Sequence, residues 1–125
     1  MSKQLELLSK KPVMDRYVFT IKKIADQESA WGLYNDGWAL SGNEGRQFFP
    51  IWPTEEAARA CASNDWEDYT PLTIDVYYMV NELLQKLEID GIGIAIFMVP
   101  DQSATATKSA SELTSDLKNE LSKYE

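Results

Sequence analysis

Apolar side chains recur at helical spacing in three long stretches of the chain. Val13, Tyr17, Ile21, Ile24 and Ala25 form one stripe, with Lys22, Lys23, Asp26 and Gln27 on the other side, which predicts an amphipathic helix over residues 13–28. Val76, Met79, Val80, Leu83, Leu84 and Leu87 form a second, opened by Asp75 as cap and closed by Asp90-Gly91. Leu113, Leu117 and Leu121 form the third, and Ser109 with Glu112 reads as a capping box ahead of it; this helix is expected to reach about Tyr124. Two shorter helices are expected. One covers residues 2–10, with Leu5 and Leu8 on one side and Lys11-Pro12 as its stop. The other covers residues 55–63, where Thr54 can cap, Glu55 and Glu56 suit the first turn, and Ala57, Ala58, Ala60, Cys61 and Ala62 are small enough for close packing on a sheet.

Between these stretches the pattern shortens to strand length. Residues 30–35, Trp38 to Ser41 and Gln47 to Trp52 read as three strands. Asp36-Gly37 and Gly42-Asn43-Glu44-Gly45 read as their turns, giving an antiparallel meander in which Pro50 marks an edge or bulged strand. Pro71 to Ile74 predicts a short strand. Gly93 to Val99, almost wholly apolar, predicts a central strand buried on both faces and broken by Pro100-Asp101. Ser103 to Lys108 reads as a loop or an edge strand. The expected fold is α+β: an antiparallel or mixed sheet of about five strands, with helices 13–28, 55–63 and 75–88 mainly on one face and the C-terminal helix completing the cover.

Length and charge narrow the function classes. A chain of 125 residues is expected to be one domain, 1–125, able to build a core without disulfides or metal. The net charge of −8 opposes binding to nucleic acid and to anionic membranes. That charge is uneven: residues 1–25 hold six bases against two acids, and residues 54–92 nine acids against two bases. No apolar run is long enough for a membrane span, the first residues lack the apolar core of a secretory signal, and Cys61 stands alone. A cytoplasmic protein is expected.

The candidate chemistry is sparse. With no histidine in the chain, serine or cysteine nucleophiles cannot take a histidine base, and one cysteine cannot supply a zinc site. The acids are numerous enough for an acid/base carboxylate pair, but nothing in the sequence brings a particular pair together, so no catalytic residue, cofactor or metal is assigned. Cys61, among alanines, reads as a small core residue inside its helix. Gly91-Ile92-Gly93 precedes a strand, so it reads as a turn and not a phosphate cradle. Trp31, Trp38 and Trp52 read mainly as sheet core. The most site-like stretch is Asn64 to Tyr69. Asp65, Trp66, Glu67, Asp68 and Tyr69, with Trp52 nearby, combine acids and aromatics suited to a basic or amine-bearing partner; their spacing does not match a calcium loop.

Arg16-Tyr17, Trp31-Gly32-Leu33, Gly37-Trp38-Ala39, Gly45-Arg46, Pro50-Ile51-Trp52-Pro53, Ala57, Ala60-Cys61-Ala62, Trp66 and Tyr69 resemble the DUF2750 family of small bacterial proteins of unknown function. The resemblance extends through the closing Leu117 to Tyr124 helix and carries no functional residue with it. Fainter is a similarity to SseB-type domains, in the order of Pro50 to Ala62, Asp75 to Leu87 and Gly91 to Pro100, which implies an interaction role. The expected function is a non-enzymatic protein-binding module, regulator-like or immunity-like. Its partner is another protein or a second copy, with residues 103–108 as an edge strand for pairing. The alternative is a small-molecule or hydrolytic site built on residues 64–69.

Overall fold

The computed structural model of the chain describes residues 2–43, 45–100 and 102–124. It is α+β, with helices where caps and stripes predict them. Helix α1 (Lys3–Ser9) begins behind Ser2, whose hydroxyl accepts the Leu5 N–H at 3.1 Å. Helix α2 (Val13–Gln27) begins behind Pro12 and buries Arg16, Tyr17, Thr20, Ile21, Ile24 and Ala25. Helix α3 (Glu55–Ala60) is capped by Thr54, which accepts the Ala57 N–H at 3.2 Å. It is shorter than expected, and Cys61 occupies its C-terminal cap, not its middle. Helix α4 spans residues 76–89, capped by Asp75, and carries one π-helical turn at Met79–Leu83 that the apolar stripe does not reveal. Helix α5 (Ala110–Leu121) has both halves of the Ser109/Glu112 capping box.

The strands depart from the expected meander. Strand β1 (Ser29–Tyr34) pairs along its length with β4 (Thr70–Asp75), Ser29 opposite Asp75 and Tyr34 opposite Thr70. Asp36 and Gly37 do turn the chain, at φ 58° and 155°. The strand expected at residues 38–41 does not follow, because Trp38 makes a single bridge to Tyr34 and then folds back as a plug. Its indole lies so close over Gly32 that a Cβ there would stand 2.9 Å from the ring, and it packs on the rings of Tyr34 and Phe49 at 5.1 and 5.7 Å. Strand β2 (Ser41–Asn43) therefore starts three residues late and pairs with β3 (Arg46–Ile51). Glu44, in the turn expected there, lies outside the described residues.

Strand β3 runs parallel to β5 (Gly93–Ile96), and β5 pairs antiparallel with β6 (Ala106–Lys108), giving the order β2-β3-β5-β6. Among the described residues six strands in two sheets thus stand in place of the single sheet of about five. A backbone bridge, Trp31 N–H to Trp52 C=O at 3.0 Å and Trp52 N–H to Trp31 C=O at 2.8 Å, joins the ladders. Pro50 sits in an interior strand, contrary to the edge or bulge expected. The reason is local: N–H groups alternate between strand edges, so the nitrogen of Pro50 falls on the same edge as that of Trp52, beyond Ser41 where β2 has ended, and no ladder bond is lost.

Strand β5 is buried on both faces, as its sequence predicts, but it stops at Ile96 and not at Val99. Phe97 turns the chain out at φ 56° while wholly buried, with its N–H held by the Ile51 C=O at 2.9 Å. A bulky residue in that region stores strain, on the order of 1–3 kcal/mol. Of the expected Pro100-Asp101 break, Asp101 lies outside the described residues. Helix α5 packs on both α2 and α4, α2 reaches β1, β5 and β6, and α3 lies on the β1–β4 ladder. No helix among the described residues is long and apolar enough to cross a membrane.

Candidate functional site

Past Ala60 the chain makes one 3₁₀ turn, Asn64–Trp66, entered through Asn64 at φ 55°. Trp66 donates its N–H to the Ser63 C=O at 3.0 Å, and Tyr69 donates to the Trp66 C=O at 3.0 Å, which fixes the segment. The half-buried Trp66 ring meets Trp52 edge to face, centroids 6.2 Å apart at 88°. Trp52 is fully buried and donates Nε1–H to the Met98 C=O at 2.9 Å; Cys61 brings its Sγ to the same carbonyl at 3.2 Å. Phe97, left-handed, precedes that carbonyl and turns the chain away from β5 toward the end of α3.

A cleft of about 410 Å³ opens between these two segments, with Cys61 and residues 63–66 on one side and residues 98–100, Gln102, Ser103 and Thr105 on the other. Asp65 and Trp66 line it. Trp52 stands behind the wall as the support of Trp66. Glu67 and Asp68 are exposed outside the cleft, and Tyr69 is half-buried and packed on the core. Of the six predicted residues, the structure thus brings Asp65, Trp66 and Trp52 into one construction and leaves Glu67 and Asp68 on the adjoining surface. Among the described residues no group of three or more Cys, Asp or Glu is placed to hold a metal ion.

The far wall was not legible as a site. Met98 and Val99 read as the tail of a strand, and Gln102, Ser103 and Thr105 as a bland polar run. Its anchor is Arg16, wholly buried on α2, whose guanidinium donates to Ser9 C=O (3.4 Å), Lys11 C=O (3.2 Å), Gln102 Oε1 (2.9 Å) and Ala104 C=O (2.6 Å). Gln102 in turn donates to Ser9 C=O at 2.7 Å. The signal for Arg16 was available: it and Thr20 complete the helical stripe of Val13, Tyr17, Ile21 and Ile24, so the arginine had to point inward.

Burial sets the protonation of two groups near these walls. It pushes the Cys61 thiol up to about 11, and Trp52 opposes that rise, so the thiol is protonated and unreactive at neutral pH. On α2, burial raises the Tyr17 phenol, and the hydrogen bond it donates to Asp116 on α5 raises it further. Both groups fold in their neutral forms with raised pKa values. Their stabilisation is complete below the unfolded values and is lost as pH climbs through the folded ones. The thermal midpoint is therefore expected to fall from about pH 9 to about 11 as Cys61 titrates, and to keep falling as Tyr17 ionises. Cys61→Ala should flatten the first part of that curve and Tyr17→Phe the later part; superimposable curves would remove both assignments.

The family described as Protein of unknown function (DUF2750) matches residues 17–117, and the chain belongs to it. The match runs from α2 to Leu117 on α5 and takes in both walls of the cleft. No curated protein matches the chain.

Proposed function

We propose that this member of the DUF2750 family is a cytoplasmic, non-catalytic binding protein whose partner is another protein, docked on the surface presented by residues 64–69. The observation supporting this is the placement of Asp65, Glu67 and Asp68. All three are exposed, none is in an ion pair among the described residues, and their backbone is pinned by Trp66 against buried Trp52. Fixed, unpaired charges beside a half-buried aromatic suit electrostatic steering plus an anchoring contact, and they select a basic partner. Tagged protein in native lysate is expected to retain a stoichiometric basic partner, with retention falling at least tenfold in a Trp66→Ala, Asp68→Ala double variant that keeps the wild-type circular dichroism. A clean bait at both low and moderate salt would count against the proposal.

The cleft favours a second reading, a small-molecule site. Its volume lies within the ordinary range for ligand pockets, roughly 300–1,000 Å³, and it offers Asp65 as the acid and Trp66 as the flat wall. Glu67, Asp68 and Tyr69 do not belong to it. Thermal-shift screening with aromatic amines would favour this reading if a stabilising compound loses its effect in Asp65→Asn.

A further inference from the structure

The β1–β4 ladder leaves one edge open, and the bridge between the two ladders identifies which groups lie on it. Trp31 commits both backbone groups to Trp52, so the Trp31–Thr73 pair exchanges no bond within its own ladder. Ala30, Gly32 and Tyr34 then bond Ile74, Leu72 and Thr70, and the backbone groups of Pro71 and Thr73, with the N–H of Asp75, point outward, while the Asp75 carbonyl opens α4. Strand β4 ends its sheet, and no backbone bond from another described residue reaches Thr73. Pro71 stands at an outward position, where its missing N–H costs no ladder bond. Leu72, at 44 %, is among the exposed large apolar residues. Six residues of edge with one proline are a template for an added strand.

We infer that β4 receives an extended, basic segment of the partner by strand addition; this rests on the protein-binding reading and specifies its geometry. Charge selects the occupant. Glu67 and Asp68 lead into the Thr70 end, where Asp36 also lies just past Tyr34. Glu28 and Asp75 stand at the opposite end, and all five are exposed. A second copy paired antiparallel about Thr73 would set Asp75 opposite Pro71 of the copy, at the end where the copy's Glu67 and Asp68 lead into its strand, so an acidic end would meet an acidic end twice. A segment carrying lysine or arginine there meets opposite charge instead. Strand β6, also terminal, offers three residues to the six of β4.

The test uses the full chain, ¹⁵N-labelled, and a short capped peptide of alternating lysine and valine. Binding is expected to shift the amides of Thr73 and Asp75 and to slow hydrogen exchange at Thr73 at least tenfold. Thr73→Pro removes an outward N–H that no bond uses, so its thermal midpoint should stay near wild type while peptide affinity falls at least tenfold. Glu67→Lys with Asp68→Lys, both on exposed positions, should weaken that peptide and admit a second capped peptide of the same length in which glutamate alternates with valine, which keeps the test open if Thr73→Pro does not fold. Shifts confined to residues 64–66 and 98–105, or undiminished binding by Thr73→Pro, would overturn strand addition and leave the protein-binding reading standing. A dimer in sedimentation that Thr73→Pro dissolves would overturn the basic partner in favour of a second copy. Failure of the peptide to bind, together with a partner-free bait, would sink both.

Discussion

Trp52→Ala is expected to destabilise the protein by about 3–5 kcal/mol, the ordinary range for removing a buried large aromatic. Trp52 is among the largest wholly buried side chains and stands where the ladders meet. Its backbone bonds Trp31, its Nε1–H bonds the Met98 C=O, and its ring carries Trp66. The truncation keeps the backbone bridge, and the Met98 carbonyl retains Cys61, so most of the loss is the cavity. Against a total stability of about 5–15 kcal/mol, that is a large fraction. The thermal midpoint should drop by roughly 10–20 °C. Trp52→Phe keeps most of the volume and should cost about 1–2 kcal/mol, yet it removes the Nε1 donor and thins the surface under Trp66. Urea unfolding followed by circular dichroism measures both variants. A loss under about 1 kcal/mol for Trp52→Ala would mean that the site collapses around the alanine, so that Trp52 does not hold the wall.

What the sequence revealed followed the range of the interactions involved. Caps are settled within four residues, and Thr54, Asp75 and the Ser109/Glu112 box were all readable. The helical stripes and the double burial of β5 depend on period alone. Strand partners do not. The turn signal at Asp36-Gly37 was sound, but Trp38 gained more by covering Gly32 than by extending a ladder, and no local pattern encodes that choice. The parallel β3–β5 pair joins Phe48 to Gly93, far apart in the chain. Phe97 carries no glycine to announce its left-handed turn, so the apolar run continues three residues past the end of the strand. The candidate site divided along the same line. Its near wall, Asp65 and Trp66, was legible as a concentration of acids and aromatics. Its far wall takes its position from Arg16, 86 residues from Gln102.

Arg16→Ala is the second large effect expected, about 2–4 kcal/mol. The guanidinium is a buried cation whose partners are neutral oxygens, and its Nε has no partner among the described residues. Burial lowers its pKa, which shows the cost of keeping that charge out of water. Hydrogen bonds from a charged donor, about 1.5–3 kcal/mol each, oppose that cost. Truncation to alanine loses those bonds, opens a cavity and strands the carbonyls of Lys11 and Ala104. Arg16→Met also loses the bonds but fills the space and removes the buried charge, so it should cost about 1–2 kcal/mol less than Arg16→Ala. Arg16→Lys keeps the charge without the fork, and a single ammonium cannot reach Ser9, Gln102 and Ala104 together. The three variants separate stability from positioning. Global unfolding should rank Ala as the worst, whereas hydrogen exchange at residues 102–106 should quicken in all three, because each one releases the far wall of the cleft from α2. If Arg16→Met leaves exchange there unchanged, packing alone holds that wall and the guanidinium is no positioning group.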